Sequence, residues 1–420
     1  MDPTKAVNTT RKRKRARSIP ELLDEVVFEI LIRLPVESLV RFKSVCKSWR
    51  VIISDPFFVG AHLRFSKQKQ ERNPSSFLIT PQISLVPARD YRRKPFSTNI
   101  RFFKWRLQQD PSSTAMLLYR SQFPAGEFRS VSPMAHCDGL VLLPHQHENL
   151  STRGVVSLPE SKRNMMLRDA CLPIGFGLDA STGRYKVARA FYRSRDYKPA
   201  GVVPMGMEVF TICGGDGSWR ETLADPPYPA LSSQTGNHCN GHLFYFINKK
   251  NQQHPPRGLL RFSLQEETFG VTLLPSNLDP AVSDDDILVK EMDGELCFTY
   301  FSKPLQRLLI WMTRDVLNPQ WDCRYKIKVP PGPSYPMASL GRMASLGTNG
   351  ILLQQGNCLF RYDLEGHGIR EDEIFDMKDL RYLGPSEDTS GCAWENLCWF
   401  DIISYTESLV PITPKPSSEA

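Results

Sequence analysis

Four dipeptides, Asp138-Gly139, Asn240-Gly241, Asp293-Gly294 and Asn349-Gly350, each stand just ahead of a short apolar run. Asn or Asp followed by Gly suits a two-residue hairpin, in which both central residues take φ > 0. The intervals between them are 102, 53 and 56 residues, and 102 is close to twice 51. A further unit is therefore expected inside the long interval, near Thr182-Gly183, where residues 175–179 and 185–192 both read as strands. Short apolar runs broken by Gly, Asn, Asp and Pro continue through the chain after residue 75, the pattern of strands and tight turns. A period near 50 residues is that of a propeller blade, and the length available predicts about six blades. An irregular β-sandwich would also accommodate four such turns. Only one glycine doublet, Gly214-Gly215, stands in the chain where blades of this size usually repeat one.

Residues 19–63 follow a different rule. Val26, Val27, Ile30, Leu31 and Leu34 recur at helical spacing, and Leu34-Pro35 breaks the run, since Pro ends one helix and suits the start of the next. Leu39 and Phe42 continue on a second helix, and Val45, Cys46, Trp49, Ile52 and Ile53 give a third, closed by Asp55-Pro56. In residues 22–63, 24 of 42 side chains are hydrophobic, against 41% for the whole chain. Three short helices cannot enclose that much apolar surface by themselves. Another polypeptide, or the rest of this one, must cover it.

The net charge of +8 is mostly in a tail. Residues 1–17 carry Lys5, Arg11, Lys12, Arg13, Lys14, Arg15 and Arg17 against Asp2, leaving only +2 for the remainder. A long phosphate-binding groove is not implied, and no nucleic-acid partner is expected. Arg11, Lys12, Arg13, Lys14, Arg15 and Arg17 read as a nuclear import signal on a disordered tail. The ten cysteines include no C-x-x-C pair, so free thiols in a reducing compartment are expected, and no metal or cofactor. The basic, polar start does not read as a signal peptide, and no apolar stretch is long enough to span a bilayer. The sequons at Asn8 and Asn149 are then chance matches.

Several chemical motifs dissolve on inspection. Gly175, Gly177 and Ala180 spell a dinucleotide fingerprint, yet a turn and an alternating strand follow where a helix is required. His238 and His242 stand four apart, but Asn240-Gly241 between them marks a turn and the general-base Glu of a zinc helix is missing. His145 and His147 are as weak a pair. Asp284, Asp285 and Asp286 read as a solvated loop. No nucleophile elbow or phosphate-binding loop is present.

The stretch from Arg33 to Pro56 resembles the plant F-box, with Leu34, Pro35, Leu39, Arg41, Phe42, Val45, Cys46, Lys47, Trp49 and Arg50 in the family pattern. One departure is Leu23, which stands where the family has Pro, with Pro20 three residues earlier. Much of residues 137–411 resembles the F-box-associated, kelch-like domain that accompanies it, through stretches such as 175–192, 217–222, 239–246 and 405–411. The resemblance implies an α+β multidomain protein: a disordered basic tail (1–18), a three-helix F-box (19–65), an all-β propeller-like domain (75–411) and a disordered end (412–420). It implies a non-catalytic substrate receptor that binds a Skp-type adaptor and, through it, a cullin scaffold and a RING subunit. Its target is an unknown protein, and no membrane is involved. The adaptor surface is expected to use Ile30, Leu31, Leu34, Pro35, Leu39, Phe42, Val45, Cys46 and Trp49. Trp49 reads equally as core and as interface anchor. Target contacts are expected in loops near 145–153, 194–204, 249–257 and 331–348, and the protein in nucleus and cytoplasm. The alternatives are an F-box protein acting outside ubiquitination and a nuclear interaction scaffold.

Overall fold

The computed structural model describes residues 23–72 and 76–412, except 84–98, 108–113, 123–134, 143–145, 150–153, 160, 164–171, 194–203, 213, 215–216, 232–234, 251, 253, 329–339, 348–349, 364–367, 378 and 385–396. The import signal at 11–17 lies outside these residues, as do 145, 150–153, 194–203, 251, 253, 331–339 and 348 of the expected target loops; residues 146–149 and 340–345, expected in loops, are strands instead.

Four helices open the described chain, α1 (Asp24–Leu31), α2 (Val36–Phe42), α3 (Lys47–Ser54) and α4 (Pro56–Arg72). The expected third helix is present, but Asp55-Pro56 starts a fourth helix after it. Asp55 Oδ1 accepts the Phe57 and Phe58 N–H groups at 2.8 and 3.3 Å, an N-cap, and Pro56 occupies the first helical position, where its missing N–H costs nothing. Only Phe58 and His62 of α4 are fully buried, so the helix shows little apolar periodicity. No helix among the described residues is long and apolar enough to cross a membrane.

The rest is mostly antiparallel meander, with two parallel contacts, Ile174–Asp179 with Thr235–Cys239 and Thr114–Gln122 with Arg381–Leu383. The strands are β1 (Ser76–Ile83), β2 (Asn99–Arg106) and β3 (Thr114–Gln122); β4 (His136–Cys137), β5 (Leu140–Leu142), β6 (Gln146–Asn149) and β7 (Gly154–Ser157); β8 (Ile174–Asp179), β9 (Arg184–Tyr192), β10 (Met205–Thr211) and β11 (Arg220–Glu221). They continue as β12 (Thr235–Cys239), β13 (His242–Phe246), β14 (Gly258–Ser263) and β15 (Phe269–Leu273); β16 (Leu288–Met292), β17 (Glu295–Ser302), β18 (Arg307–Thr313) and β19 (Asp322–Ile327); β20 (Leu340–Ser345), β21 (Ile351–Gln355), β22 (Cys358–Asp363) and β23 (Gly368–Asp376); and finally β24 (Arg381–Leu383) and β25 (Leu397–Ser404).

The expected turns are hairpins joining the first and second strands of successive sheets. Asp138 and Gly139 have φ of 54° and 79°, Asn240 and Gly241 48° and 73°, and Asp293 and Gly294 53° and 79°. Gly350 lies in the corresponding β20–β21 connection, whose Asn349 is outside the described residues. The unit expected near Thr182-Gly183 is the β8–β9 hairpin. There Asp179 holds the turn, Oδ1 accepting from the Ser181 N–H at 3.0 Å and hydroxyl at 2.6 Å.

Strands β8 and β12 touch in parallel through Ile174↔Thr235 and Gly175↔Gly236, which merges their two meanders into one eight-stranded sheet. A Cβ on Gly175 would stand 2.4 Å from the Tyr245 hydroxyl, and one on Gly236 2.6 Å from its ring. The first glycine of the apparent dinucleotide motif therefore serves strand packing.

Apolar clusters lie between successive sheets. Phe176, Val187 and Leu140 pack β4–β7 on β8–β11; Met207, Tyr245 and Phe262 pack β8–β11 on β12–β15; Phe244, Phe298 and Leu309 join β12–β15 to β16–β19. Ile310 and Ile351 continue to β20–β23, and Leu352, Trp105 and Phe400 return the ring to the first strands. There β25 pairs with β1 and β24 with β3, so the end of the chain completes the sheet that the β-domain began. The described chain is thus a helical unit followed by a propeller-like β-domain. Its last packed residue is Ile412, 3% exposed, one position beyond the boundary expected at 411.

Phe400 is wholly buried on the closing strand. Phe400→Ala is expected to lower unfolding free energy by about 3–5 kcal/mol, read by chemical denaturation. A loss under about 1 kcal/mol would show that the closing strand is not tightly packed.

Candidate partner-docking site

The helical unit turns one set of apolar side chains inward. Val27, Leu31, Val36, Leu39, Ile53 and Phe58 form its core, joined by Leu409 from the far end of the chain. Leu31 and Leu39, expected on an adaptor surface, are both wholly buried here. That expectation is corrected: they hold the helices to one another and offer no side chain to a partner.

The other expected residues lie at or near the surface. Ile30 and Val45 are 48% and 61% exposed, and Pro35 and Cys46 are exposed. Leu34, Phe42 and Trp49 are half-buried against the core. The Trp49 ring lies 5.2 Å from that of Phe42, so it has the mixed position between core and surface. Cys46 has a second task, its Sγ accepting the Trp49 N–H at 3.4 Å to cap α3.

Leu23, Val26, Val51 and Phe57 are exposed too, and of these Val51 and Phe57 carry no signal in the sequence that sets them apart. Val51 and Phe57 are 69% and 70% exposed. They flank a groove of about 670 Å³ whose floor is Phe28 and Ile52 and whose rim carries Asp24, Glu25, Glu29 and Lys47. The Phe28 ring sits 6.1 Å from Phe57 and 5.2 Å edge-on from Phe58, which fixes it as the floor. An apolar centre inside a charged rim is the anatomy of a protein-binding patch.

A second concavity of about 420 Å³ opens where β4, β8, β12, β16, β20 and β25 end, at the mouth of the β-domain's axis. The C-terminal half of α4 lies over it. Lys67 Nζ meets Asp138 Oδ1 at 2.5 Å, and the Tyr185 hydroxyl donates to Asp138 Oδ2 at 2.8 Å. Nearby, Cys137 Sγ and His238 Nδ1 are 3.8 Å apart. Burial drives His238 down to about 4, and burial, reinforced by Asp138, drives the Cys137 thiol well up. Both stay neutral at pH 7, whereas a nucleophilic pair needs a thiolate.

His242 Nδ1 lies 2.8 Å from the Asn240 carbonyl across the hairpin from His238. The described His, Cys, Asp and Glu side chains form no group of three or more that could hold a metal ion. Asp284–Asp286 form a 3-10 turn whose Asp284 pairs with Lys249 at 2.6 Å. The His145–His147 pair, set aside on sequence grounds, lies outside the side chains described.

His62 ties α4 to the loop before α2. It is 2% exposed, its Nε2 stands 3.0 Å from the Leu34 carbonyl, and its Nδ1 has no partner among the described residues. Burial lowers its pKa, outweighing the Leu34 carbonyl and Glu407, which act the other way. The neutral ring with Nε2–H donating is the form that fits.

Residues 19–59 match the F-box domain family, and residues 91–379 match the F-box associated beta propeller domain family. The chain is similar to a putative F-box/kelch-repeat protein of Arabidopsis thaliana, 26% identical over 349 residues, which cover 75% of this chain and 73% of that one. It is also similar to an F-box protein of the same plant, 25% identical over 329 residues, covering 74% and 70%. Among solved structures, an oligogalacturonate lyase of Vibrio parahaemolyticus overlays 70% of this chain and 85% of its own at a TM-score of 0.33 and 7% identity, too low to bear on function.

His62 makes the helical unit sensitive to acid. Its lowered pKa stabilises the fold fully above about 6.5, the ordinary imidazole value, and that contribution is lost as pH falls below it. Hydrogen exchange at the Leu31 and Ile53 amides, corrected for intrinsic rate, is expected to show weaker protection at pH 5.5 than at pH 7. His62→Gln is expected to flatten that dependence, and an equally steep one would exclude His62 as its source.

Proposed function

Because the chain belongs to the F-box proteins that carry an F-box-associated propeller domain, we propose that it is the substrate receptor of a Skp-cullin-F-box ubiquitin ligase. The family is one of non-catalytic adaptors. The receptor binds a Skp-type adaptor, which brings a cullin scaffold and a RING subunit, and holds a target protein beside the ubiquitin donor. Tethering raises the effective concentration of the target's lysines. The exposed apolar groove between α1, α3 and the start of α4 carries this reading, since no other described residue covers it.

In this reading the F-box spans residues 19–65 and the propeller 75–411, in six blades. Four sheets of four strands, two of them merged through β8 and β12, a fifth at β4–β7, and the closing sheet of β25 with β1–β3 support that number. Ile30, Leu34, Pro35, Phe42, Val45, Cys46 and Trp49 join Val51 and Phe57 on the adaptor face. The target meets the face opposite α4. The connections from Tyr192 to Met205, Phe246 to Gly258, Leu273 to Leu288 and Ile327 to Leu340 begin and end there, because each second and fourth strand runs away from the α4 mouth. Long loops on a rigid scaffold are the usual carriers of recognition. Residues 11–17 act as an import signal, giving a protein shared between nucleus and cytoplasm.

Val51→Asp with Phe57→Asp tests the adaptor face. Both side chains are exposed, so stability is expected to change by less than about 0.5 kcal/mol each. Affinity for a plant Skp-type adaptor is expected to fall by more than about 2 kcal/mol, or roughly 30-fold. Undiminished binding in titration would overturn the assignment of this groove. Co-purification of cullin separates the ligase reading from an F-box protein acting elsewhere.

A further inference from the structure

The segment after β25, residues 405–412, runs between the helical unit and the β-domain and touches both. The Tyr405 N–H donates to the Ser76 carbonyl at 3.0 Å, at the start of β1. The next residues cross the β4–β5 turn so closely that a Cβ on Gly139 would stand 2.3 Å from the Thr406 carbonyl oxygen. Gly139 also has φ 79°, so this turn leaves no room for a side chain twice over.

From there the side chains alternate. Leu409, 4% exposed, enters the helical core beside Leu31 and Phe58. Val410 and Ile412 turn the other way, into the cluster of Leu140, Phe176 and Val187. Ser408, wholly buried between them, accepts the Val410 N–H on its Oγ at 3.0 Å.

Glu407 makes the polar half of the link. Helix α2 begins at Val36, and its N-cap residue, Pro35, offers no side-chain acceptor. Glu407 Oε2 accepts the Val36 N–H at 2.9 Å instead, a cap supplied from the opposite end of the sequence. Its other oxygen pairs with Lys104 of β2. Burial opposes ionisation of Glu407, but Lys104 and the Val36 N–H outweigh it and hold its pKa below the usual carboxylate range.

We propose that residues 405–412 are a positioning strap for adaptor docking. Leu409 completes the helical core, Glu407 caps α2, and the anchored Val410 and Ile412 hold the groove at one angle to the propeller. The F-box of this chain is therefore finished partly by the chain itself, at a point far from it in sequence. The functional consequence rests on the adaptor reading, whereas the strap's effect on the helices does not.

The test uses the full chain with Glu407→Ala, Glu407→Gln and Leu409→Ala, and with a truncation after Ile412 as control. Hydrogen exchange on the free protein reads the strap directly. Leu409→Ala is expected to loosen amides of α1–α3 by about tenfold or more, with the strands of β8–β19 unchanged. Adaptor titration is expected to show a comparable loss for Leu409→Ala and Glu407→Ala. Glu407→Gln, which keeps an acceptor for the Val36 N–H, recovers most of it, and the control matches wild type. Helix exchange and affinity within about twofold of wild type for both alanine variants would overturn the proposal. So would protection lost equally across helices and strands. Should wild type itself fail to bind the adaptor, the functional reading falls, while the exchange result still decides whether the strap exists.

Discussion

The pairing of β25 with β1 is the contact on which the remaining architecture depends. It runs from Phe77↔Ser404 to Ile83↔Leu397 and joins the two ends of the β-domain in one sheet. Such a contact closes nearly the whole domain as a loop, and its entropic cost is met only if many apolar contacts form with it. Phe77, Ile79, Phe400 and Ile402 supply them, all wholly buried in one cluster. Closure also decides where the helices go. β1 begins and β25 ends at the same mouth, so α4, which leads into β1, and the strap, which leaves β25, reach the helical unit from adjacent points. One covalent connection through α4 and one non-covalent clamp through Leu409 and Glu407, both rising from one place, restrict a small module far more than a single flexible linker would.

The polar contacts at that mouth fit this role. Asp138 is held in a positive-φ turn, its side chain 5% exposed, and takes Lys67 from α4 and the Tyr185 hydroxyl from β9. Lys67 is 41% exposed and only Asp138 is buried, so the pair adds little net stability, solvent screening and desolvation of Asp138 offsetting the attraction. It does penalise an arrangement that leaves Asp138 buried without its cation, so the pair favours the seat of α4 on the β4–β5 turn. Gln70 adds a neutral contact of the same kind, donating from Nε2 to the Ser76 carbonyl at 2.8 Å.

Much of this was legible in the amino-acid sequence wherever the signal is local. The Asp-Gly and Asn-Gly turns announce themselves because few residue pairs tolerate two successive positive φ values. The β8–β9 hairpin is legible from the period and its two flanking strand patterns, since its turn is built by Asp179 and carries no such dipeptide. Helix α4 was missed because Lys67, Gln68, Lys69, Gln70 and Glu71 give no apolar stripe. Which apolar residues face inward was missed for the opposite reason. α1 with its C-cap and α3 each hold adjacent apolar residues, Ile30-Leu31-Ile32 and Val51-Ile52-Ile53, so Leu31 and Val51 look alike in sequence, although one is core and the other surface. The strap has no local signature at all. Leu409 and Glu407 acquire their roles from partners more than 300 residues away, and no periodicity encodes that.

The two covers of the helical unit act on different sides, and their magnitudes explain why both are needed. The strap covers the side of Val36 and Phe58 permanently, while Leu23, Val26, Val51 and Phe57 stay exposed. Fully burying such a side chain is worth about 1.5–3 kcal/mol, and because these four are 41–70% exposed they together offer on the order of 5 kcal/mol. Bringing two proteins together costs about 4–15 kcal/mol before any contact is counted. The apolar groove alone therefore at best breaks even, and a floppy helical unit, which must also be ordered on binding, would fall short. A unit already ordered by the strap avoids that further cost. The charged rim of Asp24, Glu25, Glu29 and Lys47 then has the remaining task. It orients the encounter and rejects surfaces of the wrong charge pattern, which apolar contact cannot do.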